Sequence, residues 1–232
     1  MDLLRSSEAQ ESRLPAVALV TGGAGGLGSA VQRELLTLGY SVHAPGRRDL
    51  DVTDTVAMER WFSGMQKLDL VVHCAGTLRD RVLGAMTQED FSTVLETNLS
   101  GPFRLTQAAL RLMVRSGQGH IVFIGSNSAR WGTAGQANYA AAKAGLIALT
   151  QSLAREFGGQ NIRVNCVLPG LLETPMTAHL APAVREAIRQ AHVLQRFNTC
   201  EAVAKFIAFM DLNLPHTSGQ VFQLDSRMNR WT

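Results

Sequence analysis

No apolar run in this chain approaches the ~18 residues that a membrane span requires, and no block of lysine or arginine marks a nucleic-acid surface. The formal charge is only +3, and with two tyrosines in the chain there is little surface for stacking bases. Neither a membrane nor a nucleic acid is therefore expected as a partner. Cysteine is scarce. Cys74, Cys166 and Cys200 stand far apart, with no CxxC pair and no histidine at metal-ligand spacing, so no metal site is expected. Free thiols fit a reducing, cytoplasmic location. Met1 to Arg13 carries Asp2, Glu8 and Glu11 and lacks the apolar core of a signal peptide, so residues 1–14 are expected to be a flexible tail. Residues 15–232 contain no internal repeat and no low-complexity linker, and one domain is expected there. With 46% hydrophobic and 18% charged residues, the chain has the composition of an ordinary globule. A chain of 232 residues is long enough to bury about 70–75% of its unfolded surface.

What is present is an alternation of strand and helix signals. Buried-strand runs stand at Ala16–Val20, Ser41–Ala44, Leu70–His73, His120–Gly125, Ile162–Leu168 and Gln220–Leu224. Between them lie an amphipathic helix to about Leu38 with Gly39 as its C-cap, a helix around Trp61, and a long helical region from Gln88 to Ser116. Further helices are expected at Tyr139–Phe157, around Ala183–Gln190, and at Glu201–Met210. Such β/α alternation predicts an α/β fold with a parallel, doubly wound sheet.

Two stretches carry chemistry. After the first strand comes Thr21-Gly22-Gly23-Ala24-Gly25-Gly26-Leu27-Gly28, and then a helix. A glycine turn between strand and helix lets backbone N–H groups approach a pyrophosphate, and the helix N-terminus adds positive potential. The second stretch is Ser126 to Lys143. Tyr139 and Lys143 are four residues apart on one expected helix, so they share a face, roughly 6 Å apart along its axis. An ammonium so placed favours the phenolate and is expected to lower the tyrosine pKa, which makes Tyr139 a candidate general acid. Ser126, where a strand ends, is a candidate donor to the same reacting oxygen. Alone, Tyr and Lys at this spacing equally describe a solvated helix face.

In combination these motifs resemble the short-chain dehydrogenase/reductases of the compact, single-domain type, over about Val17 to Asp225. The resemblance rests on Thr21, Gly22, Gly26 and Gly28; on His73-Cys74-Ala75-Gly76, where the family usually has Asn-Asn-Ala-Gly; on Asn98; and on Ser126 with Tyr139 and Lys143. Val164 to Gly170, followed by Thr174, matches the segment that covers the nicotinamide. A Rossmann-type sheet is implied. So are roles: Tyr139 exchanges a proton with the substrate oxygen, Ser126 orients that oxygen, and Lys143 holds the nicotinamide ribose. Asn98 supports a proton-relaying water or, as its plainer alternative, kinks a helix by bonding nearby backbone. The dinucleotide would lie along Thr21, Gly22, Gly26, Leu27, Gly28, Asp51, Val52, Cys74, Ala75, Gly76, Pro169, Gly170, Leu172 and Thr174. Ser128 rivals Ser126, but the family's serine stands thirteen before the tyrosine, which selects Ser126.

Where NAD-dependent members carry an acid after the second strand, this chain has Gly46, then Arg47 and Arg48. An arginine suits a 2′-phosphate, so Arg47 favours NADP(H) over NAD(H). Only about eight residues separate His43 from Asp51-Val52. That is too few for a parallel crossover, which needs about a dozen. The family's helix after the second strand is therefore expected to be deleted, with its next strand short or absent. Gly135 to Ile147 and Leu172 to Met176 look most like the 3-oxoacyl-acyl-carrier-protein reductases, which implies a carbonyl or acyl-thioester substrate and acyl carrier protein as a candidate partner. Against that, the basic positions that dock the carrier appear as Gly117 and Gln160, with Arg115 and Arg163 as possible substitutes, and the ending reads Asp225-Ser226-Arg227 where Asp-Gly-Gly is usual. Residues 171–194, with Met176, Leu180, Val184, Ile188 and Val193, are expected to form the substrate lid, hinged at Gly170. A homodimer or homotetramer is implied through the helices at 102–115 and 139–157. Alternatives are another ketone, a quinone or a sugar as substrate, or a dinucleotide-binding regulator without catalysis.

Overall fold

The computed structural model describes residues 15–228. The expected tail, residues 1–14, lies outside the described residues. Six strands form one parallel sheet: β1 Val17–Thr21, β2 Ser41–His43, β3 Leu70–His73, β4 Gly119–Ile124, β5 Ile162–Leu168 and β6 Val221–Gln223, in the order β2-β1-β3-β4-β5-β6. All lie within a residue or so of the expected runs. Because side chains alternate along a strand, the sheet has two apolar faces. Leu19, Val71, Ile121, Phe123, Val164 and Cys166 point to one, where α4 (Gly101–Ser116) and α6 (Ala137–Phe157) add Leu105, Met113 and Leu146. Ala18, Val20, Leu70, Val72, Val122 and Val167 point to the other, covered by α1 (Gly26–Thr37) and α8 (Cys200–Asn213) through Val31, Leu35, Val203 and Ile207.

Strand order reverses at β1, whose neighbours β2 and β3 lie on opposite sides, so a crevice opens beyond the carboxyl ends of β1 and β3. The loops leaving those ends are the glycine turn and Cys74–Gly76, and the loops after β4 and β5 bring Ser126 and Pro169 to the same edge.

Between His43 and Asp54 no helix forms, and among the described residues no strand lies outside β2. The chain turns instead at Gly46, whose carbonyl accepts from Asp49 and Leu50 N–H at 3.0 Å, and buries Leu50 and Val52. It then enters α2 (Thr55–Ser63), capped by the Asp54 carboxylate on Ala57 N–H at 2.9 Å. The expected deletion is thus real, and β2 is left as the sheet edge. The long helical region expected at 88–116 is broken: α3 (Gln88–Leu95) passes through a π-turn, Glu96–Ser100, into α4. A short α5 (Ser128–Trp131) follows β4, and α7 (Pro182–Gln190) lies in the segment expected to form a lid.

Candidate active site

The glycine turn is packed too tightly for side chains. Gly22 adopts φ +67°, and a Cβ there would stand 2.9 Å from the Ala75 backbone; one on Gly28 would stand 2.3 Å from the Gly22 carbonyl oxygen. Thr21 Oγ1 accepts from Ala75 N–H at 3.1 Å, so the turn and the loop after β3 are one unit. Gly26 faces the Thr174 methyl, which a Cβ would meet at 2.7 Å, and this carries the segment after β5 over the first turn of α1. Leu27 is half-buried beside it and Leu172 is buried. A bare backbone cradle at a helix N-terminus, in the crevice where strand order reverses, fits a dinucleotide pyrophosphate.

At the adenosine end Arg47 is exposed, and its Nε lies 3.0 Å from Asp51 Oδ2. Burial alone would raise the Asp51 carboxyl, but bonds from Thr53 N–H (2.9 Å) and Thr53 Oγ1 (2.7 Å), with Arg47, outweigh it and hold the pKa below the usual range. Asp51, expected at the adenine, is thus engaged with Thr53 and Arg47. Val52 packs under α4 at Gly101, where its carbonyl would lie 2.8 Å from a Cβ.

Tyr139 and Lys143 share a face of α6, with the ammonium 5.5 Å from the phenol ring centroid. The expected electrostatics are corrected here. Lys143 is buried and donates to the Ile124 carbonyl at 2.7 Å; burial depresses its pKa to about 8, the Cys166 and Cys74 thiols partly opposing. Tyr139 is pushed up to about 12 by burial, against a hydrogen bond from Ser126 and with Asp80 adding to the rise. Desolvation is the largest cause at both groups. Ser126 Oγ also accepts from Ser128 N–H at 3.1 Å. The Ser128 hydroxyl is occupied elsewhere, 2.9 Å from Thr133 Oγ1 and 3.1 Å from Gln136 Oε1.

Asn98 is fully buried and bonds Thr77 twice, accepting from its N–H at 2.9 Å and donating to its carbonyl at 2.8 Å. Both arms of its side chain therefore hold the loop beyond Gly76. Burial pushes the Cys74 thiol up to about 12, and carries His73 down to about 3 with Lys143 assisting, so neither is ionised near neutral pH.

Three residues of the site escaped the motif reading. Asn138, fully buried, donates to the carbonyls of Arg79 (3.0 Å) and Asp90 (3.1 Å), tying the 79–80 loop and α3 to the helix that carries Tyr139. Gln136 donates to Asp80 at 2.8 Å, and with Thr77, Leu78, Met176 and His179, Asp80 lines a cleft of about 430 Å³ between the loop after β3 and the segment after β5. A polar residue immediately before Tyr139 was the available signal for Asn138. Nothing in the sequence brought Asp80 to Gln136.

Of the two substitutes for carrier docking, Arg163 is ruled out. Its guanidinium is spent on Asp211 and on the carbonyls of Met210, Asp211 and Leu214. Arg115 is exposed. In the segment expected to form a lid, Met176, Val184 and Val193 are 40%, 47% and 62% exposed, so these three are not consumed by packing on the core, while Leu180 and Ile188 are half-buried.

Residues 25–228 match the family model described as enoyl-(acyl carrier protein) reductase. The chain is 36% identical to the 3-oxoacyl-[acyl-carrier-protein] reductase MabA of Mycobacterium tuberculosis (strain H37Rv), over 90% of this chain and 91% of that one. It is equally similar, at 36%, to the 3-oxoacyl-[acyl-carrier-protein] reductases FabG of Thermotoga maritima (90% and 96% covered) and of Escherichia coli K12 (84% and 88%).

Proposed function

The chain belongs to the short-chain dehydrogenase/reductase family, and from that premise we propose that it is an NADPH-dependent reductase of 3-oxoacyl thioesters. The observation that carries the reading is the Lys143 ammonium 5.5 Å from the Tyr139 ring, one helical turn along α6, at the crevice end of the sheet where Ser126 follows β4. A pair of hydroxyls such as Ser126 and Tyr139 recognises an oxygen, as the carbonyl of an oxoacyl group presents. The names of the relatives supply the acyl thioester. The exposed Met176, Val184 and Val193 supply an apolar surface for its chain. A sugar would need buried polar partners instead.

The reduced nicotinamide, when bound, supplies the hydride. The chain's own residues do the rest. Ser126 Oγ accepts the Ser128 N–H, so its one proton is directed into the site, toward the Tyr139 phenol or, once substrate is bound, toward the oxygen between them. Tyr139 is a firmly protonated donor near neutral pH and gives its proton up as charge develops on the substrate oxygen. Lys143 has three donors, one on the Ile124 carbonyl, which leaves two for ribose hydroxyls. Asn98 holds the loop against which the substrate lies. Arg47, bonded through Nε alone among the described residues, keeps its terminal nitrogens for a 2′-phosphate. The enzyme is cytoplasmic in this reading and works as a homodimer or homotetramer, with acyl carrier protein delivering the thioester. Among the described residues no helix is long and apolar enough to cross a membrane.

The test is oxidation of NADPH and NADH against acetoacetyl and crotonyl thioesters, a diketone, a quinone and a sugar ketone, in wild type and Tyr139→Phe. Acetoacetyl thioester with NADPH is expected to turn over fastest. Tyr139→Phe should lose about 10²–10⁴-fold in rate while binding NADPH within a few-fold. Preference for the crotonyl thioester or the sugar, or dinucleotide binding without any turnover, overturns the reading.

A further inference from the structure

Beyond the last strand the chain makes a tight turn around a buried acid. The Asp225 side chain is 1% exposed, yet it accepts from Gln223 Nε2 at 2.7 Å, Arg227 Nε at 2.6 Å and Arg227 N–H at 3.3 Å. Burying a carboxylate is costly unless it is paired and hydrogen-bonded, so these donors are what keep it there. Around it meet the two ends of the lid segment. On one side is Gly170, at φ +83°, where a Cβ would stand 2.7 Å from Asp225 Cβ. On the other is His192, also 1% exposed, with Nε2 3.6 Å from Asp225 Oδ2. The next residue continues the contact: Ser226 accepts Val193 N–H on its carbonyl at 3.0 Å and Leu194 N–H on its hydroxyl at 3.2 Å. His192 and Arg227 form an isolated antiparallel bridge. Asn198 closes the ring by donating to the Pro169 and Leu224 carbonyls, each at 3.2 Å.

Beyond Leu172, which is buried, and Thr174, whose methyl lies against Gly26, little anchors the segment. No residue of α7 is buried, and its ion pairs, Arg185 with Glu173 and Arg189 with Glu186, lie within the segment itself.

We propose that the turn Gln223–Arg227 is a latch that joins the two feet of the substrate lid, Pro169-Gly170 and His192–Leu194, so that the lid moves as one body over the crevice. Asp225, Ser226 and Arg227 are positioning residues in it. Gly170 is then a foot held by Asp225 rather than a free hinge. The proposal rests on residues 171–194 being the substrate lid. It assigns a purpose to the Ser226-Arg227 pair, whose side chains a Gly-Gly ending would lack.

The experiment is amide hydrogen exchange on the full-length protein, with and without NADP⁺, in Arg227→Ala, Arg227→Lys and Ser226→Gly, alongside KM and kcat for acetoacetyl thioester. Removing a donor to a buried carboxylate should speed exchange at Gly170–Met176 and at Val193–Leu194 together by at least about tenfold in Arg227→Ala. KM should rise more than kcat falls, and Arg227→Lys should recover most of the protection. Ser226→Gly, which leaves the carboxylate paired and keeps the variant set informative if Arg227→Ala misfolds, should speed exchange at Leu194 and Gly170 by about threefold. Protection unchanged at both feet, or lost at only one, overturns the latch whatever the activity. A wild type inert to every oxoacyl thioester, with both feet still loosening together, sinks the reductase reading and leaves the latch standing.

Discussion

Lys143 is an ammonium kept at 5% exposure with a single protein hydrogen bond, and that burial has a measurable consequence. Its folded pKa of about 8 lies below the unfolded value of about 10.4. Between those values the unfolded chain holds a proton that the folded chain has released, so stability rises with pH across the window and the cost is fully present below it. Lys143→Met lacks this titration. In urea unfolding without dinucleotide, wild type should gain about 2 kcal/mol relative to the variant between about pH 7.5 and about pH 9.5. A difference that stays flat over that range would contradict the burial argument. The Tyr–Lys spacing was legible in the sequence; the direction of the tyrosine shift was not. Spacing gives a distance along a helix, whereas desolvation depends on what the rest of the fold lays over it.

The π-turn at Glu96–Ser100 aims Asn98 at Thr77, and α6 presses directly against it. A Cβ on Gly145 would lie 2.9 Å from both methyl carbons of Leu99, inside that turn. Gly145→Val should therefore overpack the contact and destabilise the protein by about 1–3 kcal/mol, outweighing the roughly 0.5 kcal/mol by which valine is the better helix former. Chemical unfolding checks this, and a variant as stable as wild type would mean that the turn yields freely. The sequence marked a long helical region here, with a kink at Asn98 as one reading, but not the form of the turn, because the extra residue is absorbed locally within Glu96–Ser100. At the other edge the opposite holds. The absence of a helix between His43 and Asp54 followed from residue count alone, since no crossover fits in so short a loop.

Across the whole molecule, apolar side chains remain exposed on helices the core does not need. Phe103 and Val114 of α4 are 42% and 45% exposed, and Leu149 and Leu153 of α6 are only partly buried. Two-fold pairing of these helices with a second copy would bury them. Light scattering at micromolar concentration is expected to give at least twice the 25.1 kDa of one chain, and Phe103→Glu with Val114→Glu should shift the mass toward one copy. A monomeric wild type would contradict the pairing. Phe209 and Leu212 of α8 are likewise 50% and 53% exposed. The Ser226-Arg227 ending is turned inward, to Leu194 and Asp225.

The sequence by itself determined the six strands, the glycine turn before α1, the α6 face with Tyr139 and Lys143, and the shortened loop before Asp51. Each of these is local, set by periodicity, glycine placement or chain length over fewer than about twenty residues. Only the tertiary structure decided that Asn98 spends its amide on Thr77, that Arg163 belongs to Asp211, that Asp51 holds Arg47 and Thr53, and that Asp225 sits between Gly170 and His192. Most of these pairings join residues from about 20 to 55 positions apart, and even the nearby Arg47–Asp51 pair depends on how a non-repeating loop turns. Polar side chains choose partners by proximity in the folded state, and a linear pattern carries no measure of that proximity.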